Sequence, residues 1–317
     1  PQLSPREWDM SYRDAHFYRV YRQQENLVPL SALMTHGIIH GKLCRLGGDQ
    51  ETLREFSDMT VLYYARGVQL KELYVTPDLM DEARWRVLGQ ATRWAVDNAL
   101  VLRRTVMIGG DPRQGEAYGY VHWQGDRGVV ALRNPSPALA SLVVPFDQSV
   151  YYRGPLARPF AARVIYPYRA ARPRAWFSGS KMQWQLPGCS VIVVELAPDP
   201  TVSRAPEPPL PTGTLVRQVS ISPATDAPGV DFTFAVPTGE MPRCDLLLIA
   251  HGSGPTDFSA VKINGQPAAP RQANGPAWHM QAFDLKALAG QTITVAARLP
   301  RAEDKPFALT ECPVRPG

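Results

Sequence analysis

The stretch AYGYVHWQGDRGVVAL, residues 117–132, decides how most of this chain folds. Two short runs rich in aromatic and β-branched residues flank Gly125-Asp126-Arg127-Gly128, a cluster typical of a turn between two strands. Similar short apolar runs, bounded by glycine and proline, follow at 140–145, 163–166, 182–186 and 190–196. This spacing predicts an antiparallel β-sandwich over residues 107–197.

A second all-β module is predicted over residues 214–317. Its apolar runs lie at 215–221, 230–236, 245–250, 260–263, 278–283 and 292–297, and Asn264-Gly265 has the composition of a type I′ hairpin turn. The preceding stretch, APDPTVSRAPEPPLPTG at 197–213, contains six prolines. So many prolines exclude a helix or a central strand, so residues 198–213 are predicted to form an extended linker.

The first 106 residues have a different pattern, which predicts an α/β segment. Apolar residues recur at steps of three and four, as in amphipathic helices, at 8–22, 49–66 and 81–104. For the second helix we expect Asp49 as the N-cap and Gly67 as the residue that ends it. Two short apolar pieces between the helices, Leu30–Ile39 and Leu70–Val75, are typical of buried strands.

Composition and charge exclude several classes of function. No apolar run approaches the roughly 18 residues of a membrane-spanning helix, so we expect no membrane span. The net charge is +5 and the isoelectric point about 9.1, but the basic residues form no long stripe. The local basic stretch 163–174 is better explained as a solvated strand edge or loop, so no nucleic acid is expected as a partner.

Motifs for metals and cofactors are missing from the sequence. The four cysteines lack CxxC spacing, and neither glycine pair, at 47–48 or 109–110, has the spacing or the lysine of a phosphate-binding loop. We therefore expect no metal and no cofactor. Cys244 and Cys312 fall in the same predicted module, where they either pair as a disulfide in an exported protein or stay as two buried thiols.

Several short motifs resemble the end of the catalytic barrel in α-galactosidase-like (melibiase-type) glycoside hydrolases. They are PLSALMTHG at 29–37, ARGVQLKEL at 65–73, and the long helix before IGGDP at 108–112. In that family the last strand-and-helix units lead directly into a C-terminal β-sandwich, which the stretches at 115–120 and 127–135 resemble. The resemblance implies that residues 1–106 are the last βα units of a (β/α)8 barrel and that the protein is secreted or periplasmic.

The resemblance also places the family's chemistry outside this chain. Its members use two aspartates on earlier barrel strands, and a retaining glycosidase needs its two carboxyl groups about 5–5.5 Å apart. Only about two of the eight βα units are recognisable here, so we assign no catalytic residue and leave open whether the chain alone is an enzyme. Three arrangements are open: the segment docks on a missing N-terminal part, its helices cap the sandwich, or it has another fold.

Five residues are candidates for substrate binding: Trp8, Arg13, Asp14, His36 and Glu72. The first three lie in WDMSYRD, residues 8–14, which resembles the rim segment after the seventh barrel strand. His36 and Glu72 are predicted to follow strands, at the end of the barrel that carries the chemistry. Each has a structural alternative: Arg13 and Asp14 as neighbours on a helix surface, His36 as a satisfied strand-end histidine, and Glu72 in a cap or salt bridge.

The leading hypothesis is the C-terminal portion of a glycoside hydrolase, with carbohydrate as ligand and the missing N-terminal part as a further partner. The alternative is a non-enzymatic carbohydrate-binding or cell-surface protein. A sugar-stacking face in the last module, made by Phe258, Asn274, Trp278 and His279, would favour the alternative, although alternation along 278–282 fits a core face better. The third hypothesis is that both β-sandwich modules are only structural spacers.

Overall fold

The computed structural model describes residues 4–24, 28–42, 51–167, 170–171, 175–198, 214–224, 228–237, 244–251, 258–270, 280–299 and 305–313. This part of the chain is mostly β, and its α-helices all lie before residue 103. None of the helices within it is both long enough and apolar enough to cross a membrane.

Four α-helices form the N-terminal layer: α1 Pro5–Tyr18, α2 Leu53–Ala65, α3 Glu82–Asp97 and α4 Ala99–Leu102. A π-helical turn, Arg19–Gln23, extends α1, and short 3-10 turns follow at Leu30–Ala32, Pro77–Leu79, Pro112–Gln114, Gln148–Val150 and Lys286–Leu288. The predicted helix at 8–22 contains most of α1, and the one at 49–66 contains α2. The predicted helix at 81–104 contains both α3 and α4.

The N-cap predicted for α2 is wrong. Thr52, not Asp49, has the extended backbone of a cap and accepts a hydrogen bond from the Glu55 amide, while the Glu55 side chain accepts one from the Thr52 amide. This reciprocal pair satisfies two amides that the helix leaves without partners. Gly67 is confirmed as the residue that ends α2, because its φ of +83° is left-handed and a Cβ there would lie 2.0 Å from Thr105 Oγ1.

Two short strands, β1 Ile38–His40 and β2 Leu73–Val75, pair in parallel with Ile38 opposite Leu73 and His40 opposite Val75. They are the ends of the two predicted strand pieces, and α2 connects them. Parallel neighbours need such a crossover connection, and a strand, a helix and a parallel strand together make one βαβ unit.

The chain then forms two antiparallel sheets. The larger has the order β3-β4-β5-β11-β7-β8 with β9 also paired to β7, and the smaller pairs β6 with β10. The strands are β3 Thr105–Gly109, β4 Tyr118–Gln124, β5 Arg127–Asn134, β6 Ala140–Pro145, β7 Pro159–Tyr166, β8 Ala170–Ala171, β9 Trp176–Phe177, β10 Lys181–Leu186 and β11 Ser190–Pro198. The hairpin predicted around residues 125–128 is confirmed, since β4 pairs with β5 across it.

The larger sheet is covered on both faces. One face packs on the smaller sheet, and their shared core includes Val121, Val130 and Ile192 with Leu142 and Trp184. The other face packs on the helices, in a core that includes Tyr120, Val129, Val193, Phe56 and Trp94. The helical segment therefore shares a hydrophobic core with the larger sheet, as in the arrangement where helices cap the sheet.

The last part of the chain forms two further antiparallel sheets, with strand orders β12-β20-β15-β18 and β13-β14-β19-β16-β17. The strands are β12 Thr214–Val219, β13 Ser222–Pro223, β14 Gly229–Ala235, β15 Asp245–His251, β16 Ser259–Ile263, β17 Gln266–Pro267, β18 Met280–Asp284, β19 Thr292–Arg298 and β20 Lys305–Pro313. The predicted turn at Asn264-Gly265 is confirmed: it joins β16 to β17, and both residues have the positive φ that a type I′ turn requires.

Several predictions about this C-terminal region fall outside the described residues. The linker does so from residue 199 onward, and so do Asn274, Trp278 and His279, whereas Phe258 is buried in the core. The β15–β20 register pairs Asp245 with Glu311 and, continued by one residue, places the buried Cys244 opposite Cys312. The side chain of Cys312 is not described, so the disulfide stays a prediction.

Gly89→Ala is expected to raise the free energy of unfolding by about 1 kcal/mol, because glycine inside a helix costs about that much relative to alanine. Gly89 lies in the middle of α3, where an added Cβ would meet no atom within 4 Å. Urea denaturation would measure the change. Gly67→Ala is the matched contrast and must destabilise; a loss of stability in both variants would contradict the structure around α3.

Candidate functional site

A groove of about 350 Å³ lies between the N-terminal helix and the loop that follows β3. The helix α1 contributes Trp8, Ser11 and Tyr12 to its lining, and the loop contributes Pro112, Arg113 and Gly115. Pro135, directly after β5, completes it. Concave sites with a few polar groups among apolar side chains are where small ligands generally bind.

The most distinctive feature of the groove is a stacked aromatic pair. The rings of Trp8 and Tyr12 lie with centroids 5.0 Å apart and planes 16° from parallel. Residues four apart lie on the same face of a helix, which brings these rings together. Both stay accessible, at 39% for Trp8 and 54% for Tyr12. An exposed pair of flat rings offers apolar area to a flat apolar ligand surface, such as the C–H face of a sugar ring.

The loop opposite the aromatic pair is fixed by its own side chains. Asp111 Oδ1 accepts a hydrogen bond from the Arg113 amide at 2.9 Å, and Glu116 Oε2 accepts one from the Asp111 amide at 2.7 Å. These two bonds hold the 3-10 turn at Pro112–Gln114, which carries the exposed Arg113 side chain. Asp111 and Glu116, the two acids beside the groove, therefore each have one carboxylate oxygen that accepts a hydrogen bond from a backbone amide.

Buried ion pairs fix α1 against β1 and α2. Arg6 donates to Glu51 and, at 2.6 Å, to the carbonyl of Ile39, while His40 Nδ1 lies 2.7 Å from Glu51 Oε2. The next residue of the helix, Glu7, accepts hydrogen bonds from Arg54, at 3.1 Å, and from Arg133 of the larger sheet. The helix that carries Trp8 is thus tied to a strand, a helix and the sheet.

A second buried cluster fixes the C-terminal half of α1. Asp14 accepts hydrogen bonds from Arg66 Nε at 2.5 Å and from the hydroxyls of Tyr118 and Tyr120, each at 2.5 Å. Arg13 donates to Asp9 at 2.9 Å and to the carbonyl of Gly37 at 2.7 Å. These contacts reach from α1 to the end of α2, to β4 and to the residue before β1.

The charges in this layer change the pKa values of several groups. Burial alone would raise the pKa of Glu7, but Arg133 and Arg54 outweigh it and lower that pKa below its ordinary value. For Asp58 burial prevails and raises the pKa to about 6, although Arg54 and the Tyr166 hydroxyl oppose the change. Burial and the nearby Asp14 charge raise the pKa of Tyr118 well above 10.

Of the five predicted substrate-binding residues, the structure places only Trp8 on the groove. Arg13 and Asp14 are buried, at 3% and 0% exposure, and their polar atoms bind other groups of the protein. The position predicted for His36 and Glu72 is wrong: both precede their strands, β1 and β2, and so lie at the opposite ends from those that carry chemistry in a barrel.

Two acids of α1, Asp9 and Asp14, are buried and lie outside the groove lining. Asp9 binds Arg6 and Arg13, and Asp14 binds Arg66. Within the described ranges, no group of three or more histidine, cysteine, aspartate or glutamate residues could hold a metal ion.

Sequence reasoning missed Tyr12 and Arg113 as groove residues. The spacing of four residues between Trp8 and Tyr12, within a segment already predicted to be helical, is a signal that could have found the aromatic pair. No local signal marks Arg113, because its position depends on how β3 and β4 lie against α1.

No protein-family model matches the chain, and no curated protein is similar enough in sequence to count as a match. Among solved structures, the chain is similar to α-galactosidase I from Mortierella vinacea, with 9% identity and a TM-score of 0.32 over 47% of this chain and 36% of that one. The chain is also similar to the α-galactosidase from Saccharomyces cerevisiae, with 8% identity and a TM-score of 0.34 over 47% of this chain and 44% of that one.

A third similar structure is a β-L-arabinopyranosidase of glycoside hydrolase family 27 from Geobacillus stearothermophilus, at 14% identity and a TM-score of 0.36 over 61% of this chain and 43% of that one. The chain thus spans less than half the length of each of these three enzymes. Similarity at this level does not establish a shared fold or activity, so the role of the groove has to follow from this chain's own residues.

Proposed function

We propose that the groove beside α1 binds a sugar ring and that the chain is the C-terminal portion of a secreted or periplasmic glycoside hydrolase of the α-galactosidase-like type. The observation that carries the binding proposal is the exposed, stacked pair of Trp8 and Tyr12 in a concave site. A pyranose has one apolar C–H face and a rim of hydroxyls, which suits flat rings with polar groups such as Ser11 and Arg113 beside them.

The order of elements supports the enzyme part of the proposal. The parallel unit β1-α2-β2 is followed by α3 and then by an all-antiparallel region. We propose that β1 and β2 are the last two strands of a (β/α)8 barrel and that the two larger antiparallel regions are β-sandwiches. A parallel pair alone is a small part of such a sheet, since parallel strands generally occur in larger sheets covered on both faces.

The acids of the helical layer support a catalytic pair located elsewhere. Four of them, Glu7, Asp9, Asp14 and Glu51, are buried and hydrogen-bonded to arginines. A glycosidase needs two carboxyl groups that face the scissile bond, and acids buried against arginines cannot reach one. We propose that both catalytic carboxylates lie outside the described residues, on strands preceding β1 in a longer protein.

A non-enzymatic carbohydrate-binding protein is the second candidate. The groove favours it in one respect: its lining has an aromatic platform and one cation but no carboxylate. Turnover of an aryl α-galactoside by the purified chain would contradict the proposed location of the catalytic pair, and would exclude this second candidate as well.

Trp8→Ala is expected to weaken binding of neutral galacto-oligosaccharides by at least about fivefold, because an aromatic platform contributes about 1 kcal/mol beyond the area it buries. Isothermal titration calorimetry with di- to tetrasaccharides would measure it. Trp85→Ala is the matched control: Trp85 is 45% exposed but lies on α3, away from the groove lining. Equal binding by both variants and the wild type would contradict the proposed site.

A further inference from the structure

We infer that the groove prefers an anionic sugar residue, one bearing a carboxylate or a sulfate ester, over its neutral counterpart. This inference rests on the proposed sugar-binding function and assigns the ligand's charge. Seven residues line the groove, and Arg113 is the only one of them with a charged side chain. Its guanidinium is exposed and forms no ion pair with another described residue, so it remains available to a ligand.

Arginine is well suited to this role because of the shape of its head group. The planar guanidinium presents paired N–H donors that match the two oxygens of a carboxylate or a sulfate. The Arg113 amide is bound to Asp111 Oδ1, and its 3-10 turn is closed by the bond from the Asp111 amide to Glu116. The loop therefore fixes the backbone from which the guanidinium extends, opposite the rings of Trp8 and Tyr12.

Two nearby carboxylates limit the size of the effect. Asp111 and Glu116 are not in the lining, and each uses one oxygen on a backbone amide, but their negative charge still opposes an incoming anion. Contacts between exposed charges are also weakened by water and salt. We therefore expect a preference of about fivefold, which corresponds to about 1 kcal/mol.

The test is calorimetric titration of the full chain at low ionic strength with three matched series: oligosaccharides of galactose, of galacturonate and of 6-sulfated galactose. We expect at least one anionic series to bind about fivefold more tightly than the neutral one. Tighter binding by one or the other anionic series identifies the group as carboxylate or sulfate. The preference should shrink as salt rises towards physiological ionic strength, because both charges are exposed.

Two variants make the role of Arg113 specific. Arg113→Gln should remove the anionic preference, because glutamine keeps N–H donors but carries no charge, and Arg113→Lys should keep part of it, because the charge remains but the paired donors are lost. Equal affinity for all three series in the wild type, or a preference that survives in Arg113→Gln, would overturn the inference and leave the sugar-binding function standing. If none of the series binds in a Trp8-dependent way, the proposed function fails too.

Discussion

Replacing Asp14 by alanine is expected to lower the free energy of unfolding by about 3–5 kcal/mol, the cost of leaving a buried charge without its partner. Asp14 is fully buried, and its two oxygens accept hydrogen bonds from Arg66 Nε at 2.5 Å and Nη2 at 3.1 Å. The hydroxyls of Tyr118 and Tyr120 use the same oxygens. The variant therefore loses the acceptor for three buried donor groups at once, and urea denaturation would show the effect.

The double variant Asp14→Leu with Arg66→Met separates the cost of a lone charge from the value of the pair. Replacing a buried ion pair by apolar side chains of similar size is often neutral or stabilising, so the double variant should be more stable than Asp14→Ala. The tyrosine hydroxyls still lose their acceptor, which costs about 1–3 kcal/mol each and keeps recovery incomplete. If the losses of stability in Asp14→Leu and in Arg66→Met simply add in the double variant, Asp14 and Arg66 are not coupled.

An exposed pair provides the control for this experiment. Glu82 and Arg86 form an ion pair on α3 with side-chain exposures of 87% and 64%. Glu82→Ala should change the free energy of unfolding by less than about 0.5 kcal/mol, since exposed ion pairs contribute little. If Glu82→Ala and Asp14→Ala lowered the free energy of unfolding by similar amounts, burial would not decide the strength of these contacts.

The Asp14 cluster also bears on the groove, because both lie on the same helix. Trp8, Ser11 and Tyr12 can form one surface only while α1 holds its rotation and position, and Asp14 and Glu7 fix the helix from its buried side. A variant that loosens this layer without unfolding the protein should therefore weaken sugar binding as well.

Local features of the fold were predictable from the sequence. The hairpin after Gln124, the turn at Asn264-Gly265 and the end of α2 at Gly67 each depend on a few adjacent residues with known conformational preferences. The three helices followed from apolar spacing. The cap of α2 was misassigned because Asp49 and Thr52 are both good cap residues, and only the return bond from Glu55 distinguishes them.

The buried ion pairs were beyond sequence reasoning because their partners are far apart in the chain. Asp14 binds Arg66 and Tyr118, which are 52 and 104 positions away, and Glu7 binds Arg133, 126 positions away. Charged residues are generally exposed, so Arg13 and Asp14 were interpreted as rim or surface residues. Their burial depends on the larger sheet supplying tyrosines and an arginine, which no pattern within α1 indicates.

Acidification from pH 6.5 to pH 5 is expected to change the stability of the wild type very little, because two buried groups oppose each other. Burial lowers the pKa of His122 to about 4 from an ordinary 6.5, so the unfolded chain binds that proton first and acidification favours unfolding. Burial raises the pKa of Asp58 to about 6 from an ordinary 3.8, so the folded chain binds that proton first and acidification favours folding. Each contributes about 3 kcal/mol over its window, with opposite sign.

Single variants should reveal the two opposing contributions. In His122→Gln the contributions of Asp58 and of Glu55, whose pKa burial also raises, are no longer opposed, so the free energy of unfolding should rise as pH falls from 6 to 5, by up to about 1.4 kcal/mol per pH unit. In Asp58→Asn it should fall over the window from pH 6.5 to 5, as His122 titrates in the unfolded chain. His122→Gln also removes hydrogen bonds with Thr105 and Ala65, and Asp58→Asn changes the one from Tyr166. The readout is therefore the slope of the free energy of unfolding with pH, not its absolute value.

Below about pH 4.5 all variants should lose stability together. There Glu7 and Glu51, whose pKa values are lowered despite burial because arginines lie beside them, take up protons in the unfolded chain first. Parallel pH profiles for His122→Gln and Asp58→Asn between pH 5 and 6 would show that these two groups do not titrate as their burial implies.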